Sequence, residues 1–269
     1  MASDAQVEID AGERFAFGQN WAAFLSLMSP QRIETSVTAL RNLLKVDTLA
    51  GKTFLDIGSG SGLSSLAAHR LGATVTSFDF DRNSVGCTTE LRRRYAPDAT
   101  NWNVQQGSVL DDALMAGLGQ FDVVYSWGVL HHTGQMWNAI EQAIGRVAPD
   151  GQLFIAIYND EGGGSRFWRR VKQIYCSNTL GRWLMMALFI PYFALRHLAK
   201  LVLVGRQTQS SRTRGMSVYY DWIDWLGGYP FEVAKVEDLF HFCVERGFIL
   251  ENLTTTNRLG CNELVFRRR

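Results

Sequence analysis

The chain has 269 residues, with 27 Lys+Arg against 26 Asp+Glu and a formal net charge of +1. With 46% hydrophobic and 20% charged residues it reads as a globular chain, not a disordered, fibrous or collagen-like one. So small a net charge argues against a protein that coats nucleic acid over its whole surface. The length suits one large domain or one domain with an elaborated insert.

Cysteines 87, 176, 243 and 261 are widely spaced, with no CxxC pair and no Cys/His cluster at zinc spacing. No metal is therefore expected, and scattered thiols suit a reducing cytosol. Residues 1–10 hold three acids and neither a basic n-region nor an apolar h-region, so no secretory signal is visible and a cytoplasmic location is expected.

In chain order, residues 1–50 read as a helical cap, with apolar residues at Phe24-Leu25, Met28, Val37, Leu40 and Leu43-Leu44, and Pro30 as punctuation. Residues 51–158 alternate short apolar runs with helix-like runs, the pattern of βαβ units on a parallel sheet. The strands are expected at Thr53–Ile57, Thr74–Phe78, Trp102–Gln105, Phe121–Ser126 and Gln152–Tyr158, with helices near 61–71, 82–95, 110–118 and 135–147. Asp150-Gly151 reads as a turn before the fifth strand. Residues 159–230 break the rhythm as a basic, apolar insert opened by the glycine joint Gly162-Gly163-Gly164. Residues 231–269 return to a helix, Val233–Arg246, and two strand-like runs, Phe248–Thr255 and Asn262–Arg267.

The strongest local signal is Phe54-Leu55-Asp56-Ile57-Gly58-Ser59-Gly60-Ser61-Gly62, an apolar strand that ends in a glycine turn and opens a helix. Glycines let the backbone approach a ligand, and a helix N-terminus offers unpaired N–H groups. A dinucleotide fingerprint would need a third glycine where Leu63 stands, and a P-loop would need Gly-Lys-Ser/Thr. A second strand, Thr74–Phe78, ends in Asp79, an acid that can accept both hydroxyls of a ribose.

This acid-x-Gly-x-Gly-x-Gly run with Asp79 resembles the cofactor loop of the class I S-adenosylmethionine (SAM)-dependent methyltransferases. The resemblance covers roughly residues 51–158. It implies an α/β, Rossmann-like fold whose seven-stranded, mostly parallel sheet has its last strand antiparallel. Gly58, Ser59, Gly60 and Gly62 would then line the methionine and ribose, with Asp56 below the amino group, Asp79 on the ribose and Phe80 beside the adenine. Ser108, where the family often has an acid, and the amide of Val109 would meet the adenine. Ser126 and Trp127 would sit beside the methionine part. S-adenosyl-L-homocysteine would be the product. The layout is also similar to ubiquinone-biosynthesis O-methyltransferases, which carry a helical insert between the fifth strand and the last helix.

Methyl transfer is an in-line displacement that must position a nucleophile and sometimes remove its proton. The fourth strand ends toward that space with Gly128-Val129-Leu130-His131-His132, and a histidine titrates near neutrality. His131 and His132 are both candidate bases, and packing or helix capping is the alternative for either. Tyr158 and Asn159, ending the fifth strand, reach the same cleft. Tyr220 and Asp221, within the aromatic run 219–232, are candidate acceptor contacts, since Asp221 and Asp224 share a face if the run is helical. Trp21, with Phe17, Gln19 and Asn20, is a candidate lid residue.

From Gly162 through Tyr220 there is no acid, and the segment carries +10 against −9 for the remainder. Trp183–Leu195 is uncharged, and apolar residues continue to Val204. Pro191 and the short run fit poorly with a spanning helix, which needs about 20 apolar residues. A lid over the site, peripheral contact of 183–204 with an anionic membrane, and a grip on an anionic substrate all remain open. Nucleic acid is not an expected partner, and the sequence does not fix an oligomeric state. The expected function is methyl transfer from SAM to a small molecule, at oxygen given the histidine pair. The alternatives are a sugar, lipid-linked or anionic acceptor, and a SAM-binding regulatory or partner protein without catalysis.

Overall fold

The computed structural model describes Leu25, residues 28–204 and residues 218–269, with the side chains of 200–204 and 218–221 left out of the description. Helix α1 (Pro30–Leu44) starts where the Ser29 hydroxyl accepts the Arg32 N–H. Pro30 fills its first position, where a missing N–H costs nothing. Ile33, Val37, Leu40 and Leu44 recur at helical spacing and form its buried face.

Four βα steps and a fifth strand follow: β1 (Thr53–Ile57), α2 (Leu63–Arg70), β2 (Thr74–Asp79), α3 (Arg82–Tyr95), β3 (Trp102–Gln106), α4 (Asp112–Gly117), β4 (Phe121–Trp127), a 3-10 turn (Leu130–His132), α5 (Met136–Gly145) and β5 (Val147–Tyr158). The chain then runs through α6 (Gly163–Ser177), α7 (Thr179–Val204), α8 (Val218–Gly227) and α9 (Val236–Val244) to β6 (Phe248–Thr254) and β7 (Cys261–Arg268). The sheet order is β3-β2-β1-β4-β5-β7-β6. Strands β1 to β5 pair in parallel, and β7 lies antiparallel between β5 and β6. This is the α/β, seven-stranded arrangement expected for class I methyltransferases.

Strand residues alternate between the two faces of the sheet. Phe54, Phe154 and Ala156 join α1, α2 and α3 in one core; Leu55, Ile57, Leu153, Ile155 and Ile157 join α4, α5 and α9 in the other. Asp150-Gly151 does not precede β5 but lies within it, as an irregularity. Asp150 takes a left-handed φ of 59°, and the pairing with β4 slips between Phe121↔Val147 and Val123↔Gln152. The local turn signal was correct in kind, and pairing to β4 on both sides of it made the segment a bulge in one strand.

Outside the sheet, α6, α7 and α8 form a third packed unit around Val171, Tyr175, Met185 and Leu226. The three glycines at 162–164 do not make a loose joint. Gly163 and Gly164 are the first turn of α6, and the Ser165 hydroxyl accepts the Glu161 N–H at 2.8 Å. α6 and α7 turn back on each other at Gly181, where a Cβ would stand 2.3 Å from the Ile174 carbonyl oxygen. Gly181→Ala should therefore cost about 1–3 kcal/mol in urea unfolding, the range for overpacking. Gly86→Ala is the control: it lies within α3 with nothing in reach of a Cβ, and it should stabilise by up to about 1 kcal/mol.

Candidate active site

β1 ends at Ile57, and the chain swings through Gly58–Gly62 into α2. Gly58, Gly60 and Gly62 have φ of 77°, 54° and 81°. The Gly58 and Ser59 N–H groups both donate to the Phe78 carbonyl on β2, at 2.9 and 3.1 Å. A Cβ at Gly58 would stand 2.5 Å from both methyl carbons of Val129. Only glycine lets this loop close against the turn that follows β4.

Two carboxyl groups lie beneath the loop. Asp79, at the tip of β2, accepts the Gly60 N–H on one oxygen and the Asp81 N–H on the other, each at 2.9 Å. Burial pushes its pKa up to about 6, against the pull of those N–H donors. Asp56, 2% exposed on β1, accepts the Ser65 hydroxyl at 2.5 Å. Burial pushes it up to about 7, and the charge of Asp79 adds to the rise. The chain continues inward: Ser65 and Ser77 hydroxyls lie 2.7 Å apart, and Trp102 donates its indole N–H to Ser77 at 2.9 Å. With Ser65 committed to Asp56 and Ser77 accepting from Trp102, the Ser77 hydroxyl must donate to Ser65.

The histidines are held differently. His131 is 0% exposed, and its Nδ1 accepts the Tyr158 N–H at 3.3 Å, which ties the ends of β4 and β5 together. His132 is partly buried, and its Nδ1 lies 2.6 Å from the Pro230 carbonyl oxygen. A carbonyl only accepts, so this nitrogen carries the proton and Nε2 is the basic nitrogen of the neutral ring. The Tyr158 ring lies tilted 4.0 Å from that of His131 and meets Trp225 and Phe231 at 5.8 and 5.2 Å between ring centres.

A strap after α8 completes this corner. The Glu232 N–H donates to the His131 carbonyl at 3.0 Å, and the Glu232 carboxylate accepts the Met136 N–H at the start of α5. Behind the strap lies Lys172 of α6, 0% exposed. Its ammonium donates to the Trp225 carbonyl and lies 4.1 Å from the Trp225 ring centre and 5.0 Å from that of Phe231. A Cβ on Gly228 would stand 3.1 Å from His132 Cε1 and 3.5 Å from Lys172 Nζ, so histidine and lysine flank the same glycine. Burial lowers the lysine pKa to about 7, partly offset by Cys176 and Asp224. Sequence reasoning missed Lys172, which looks like one more cation of the basic insert. It also missed Ser65, Ser77 and Trp102. Lys172 stands 53 positions from its acceptor, and no local pattern marks it.

Of the other residues singled out, Phe80 follows Asp79 and its carbonyl accepts the Gln106 side chain. The Ser108 hydroxyl accepts the Leu110 N–H at 3.1 Å, and the Val109 side chain is buried in the core. Ser126 donates to the Ile57 carbonyl at 3.0 Å, and Trp127 donates to Glu263 of β7 at 3.0 Å. Asn159 lies at the β5–β7 junction, bonded to Glu161, Asn262 and the Gly260 carbonyl. Tyr220 and Asp221 lie on α8 with side chains outside the description, and Trp21, Phe17, Gln19 and Asn20 lie outside the described residues. Among the described residues no cluster of three His, Cys, Asp or Glu could hold a metal ion.

A carboxyl that burial keeps protonated binds more protons folded than unfolded, so Asp56 costs stability as pH rises from 3.8 to about 7. Asp56→Asn removes that titration. The stability of the variant relative to the parent should grow by a few kcal/mol across this window and level off above it. Denaturant unfolding at stepped pH checks this, and a difference that stays flat would mean that Asp56 is ionised throughout.

A protein-family model described as a methyltransferase domain matches residues 29–207. Ubiquinone biosynthesis O-methyltransferase of Vibrio parahaemolyticus serotype O3:K6 is 29% identical over 117 residues, which is 44% of this chain and 48% of that enzyme. Its namesake in Pseudomonas fluorescens Pf0-1 is 32% identical over 112 residues, 41% of this chain and 46% of that enzyme. The chain thus spans about half the length of these relatives. Among solved structures, magnesium protoporphyrin IX methyltransferase from Synechocystis PCC 6803 with bound SAM superposes with a TM-score of 0.58 at 13% identity, over 99% of this chain and 98% of that one. That likeness is one of fold. The family match takes in more than half of the sequence, and the chain belongs to the methyltransferase-domain family with the class I, SAM-dependent methyltransferase fold.

Proposed function

We propose that this protein transfers a methyl group from SAM to an oxygen of a small molecule, with His132 as the base. One contact carries the reading: Gly58 of the glycine loop closes on Val129, at the start of the turn that bears the histidines. The residues present fit SAM. The loop is closed by glycine where a side chain would collide, and burial holds two carboxyl groups beneath it above their ordinary range. Asp56 would face the amino group, with Gly58, Ser59, Gly60 and Gly62 along the methionine and ribose. Asp79 would accept the ribose hydroxyls, and Phe80, Ser108 and the Val109 amide would border the adenine. When bound, SAM supplies a methyl group made electrophilic by a positively charged sulfur. Residues 51–158 serve as the cofactor core, 1–50 as a cap, 159–230 as the acceptor wall, and 231–269 complete the sheet.

The protein's own part is to hold the acceptor in line and take its proton. Pro230 fixes the tautomer of His132, so Nε2 is the nitrogen that accepts the hydroxyl proton. His131 positions the turn through Tyr158 and does not itself act. Tyr158, Trp225 and Phe231 supply flat apolar walls suited to an aromatic or lipid-soluble acceptor. Lys172 favours one variant of this reading, an acceptor with an acidic group, because this buried cation and His132 flank the same Gly228.

Calorimetric titration with SAM, followed by transfer of labelled methyl to a panel of phenols and catechols, tests the proposal. Asp79→Ala should weaken SAM binding by about tenfold or more. His132→Gln should leave SAM affinity unchanged and lower kcat by about 10²–10⁴-fold. Full turnover in His132→Gln would remove the base from the reading, and failure of SAM to bind would remove the reading itself.

A further inference from the structure

α7 is apolar on both sides, and the described residues pack on only one of them. Met185, Met186, Phe189, Ile190 and Phe193 pack inward on α6 and α8. On the opposite side, Leu180, Trp183, Leu184, Leu188, Tyr192, Leu195 and Leu198 face solvent, with exposures of 79% at Leu180, 65% at Trp183 and 69% at Leu195. Their spacing of three and four is that of one continuous helix face. Phe167 and Ile174 of α6 are also exposed, and Arg166, Arg170, Arg182 and Arg196 stand exposed on the same two helices. A helix apolar all round is ordinarily buried all round, and a stripe of this size left open marks an interaction surface.

We propose that the outer face of α7 docks on an anionic lipid bilayer. Charge decides the occupant. Residues 162–220 hold no acid, and Arg166, Arg170, Arg182 and Arg196 are exposed on α6 and α7, so a second copy would bring like charge against like charge, whereas an anionic headgroup layer is complementary. The side chains suit the depth: leucines for the acyl boundary, Trp183 and Tyr192 for the interface, arginines for the headgroups. No described helix is long and apolar enough to cross a membrane, and Pro191 lies inside α7, which suits a helix lying in the surface rather than through it. Docking there also places the bilayer against the back of the acceptor wall. A line of rings runs from Phe193 of α7 to Trp168 at 6.0 Å, to Trp225 at 5.4 Å, to Tyr158 at 5.8 Å and to His131 at 4.0 Å. The docking itself does not rest on the methyl-transfer reading.

Co-sedimentation of the full chain with vesicles tests this. Phosphatidylcholine vesicles are compared with vesicles that also carry phosphatidylglycerol, at low salt and at about 0.5 M salt. The protein should pellet with the anionic vesicles at low salt, and about tenfold less with neutral vesicles or at high salt. The double variant Leu184→Asp/Leu188→Asp should lose binding by about tenfold or more while its melting temperature holds, because both side chains are exposed. Arg166→Gln and Arg170→Gln should each weaken binding by up to about fivefold without touching the stripe. Equal pelleting with neutral and anionic vesicles, or no loss in the double variant, would overturn the proposal. So would light scattering that shows a dimer which Leu184→Asp/Leu188→Asp dissociates, since a second copy would then occupy the stripe.

Discussion

The protein is organised around one buried carboxyl group. Asp56 reaches across to α2 through Ser65, and that hydroxyl chain continues to β2 at Ser77 and to β3 at Trp102. A polar chain inside a core holds only when each member finds its partner, because an orphaned group costs more than a made bond returns. Four elements are thereby fixed about the end of β1. The loop that leaves β1 can then close on Val129, Val129 leads into the histidine turn, and that turn grips the strap after α8.

Burial acts in opposite senses at the two ends of this arrangement. At Asp56 and Asp79 it favours the neutral acids, and at Lys172 it favours the neutral amine. Near neutral pH all three stand close to the point where protonation is shared between states. Each therefore makes a poor stabilising ion. The lysine also closes the last turn of α8 through Trp225, a carbonyl near a helix C-terminus, where positive charge is favoured.

What could be read directly from the chain was local. The run 54–62 and Asp79 declare themselves because glycine, acid and apolar strand stand next to one another, and the observed β1, β2 and α3 fall within a residue of expectation. The histidine pair was legible in the sequence, but what holds each ring was not. Nothing near residue 132 announces that Pro230, 98 positions on, fixes its tautomer. Asp150-Gly151 carries the residues of a turn, yet cross-strand pairing to β4 absorbs it as a bulge. Asn159 sits one residue past Tyr158, but hydrogen bonds to Asn262 and Gly260 draw it to β7. In each case the deciding partner was far away in sequence.

The strap also bears on how this fold can be recombined. By chain order the segment between β5 and α9 is one removable cassette. By contact it is not, because its last residues hold the turn after β4: Pro230 takes the proton side of His132, and Glu232 anchors both the His131 carbonyl and the first turn of α5. A foreign cassette has to bring a carbonyl to His132 Nδ1, an N–H to the His131 carbonyl and a carboxylate to the Met136 N–H, or this turn loses its hold. A functional graft must exchange the insert through residue 232 together with residues 129–136, as two segments at once.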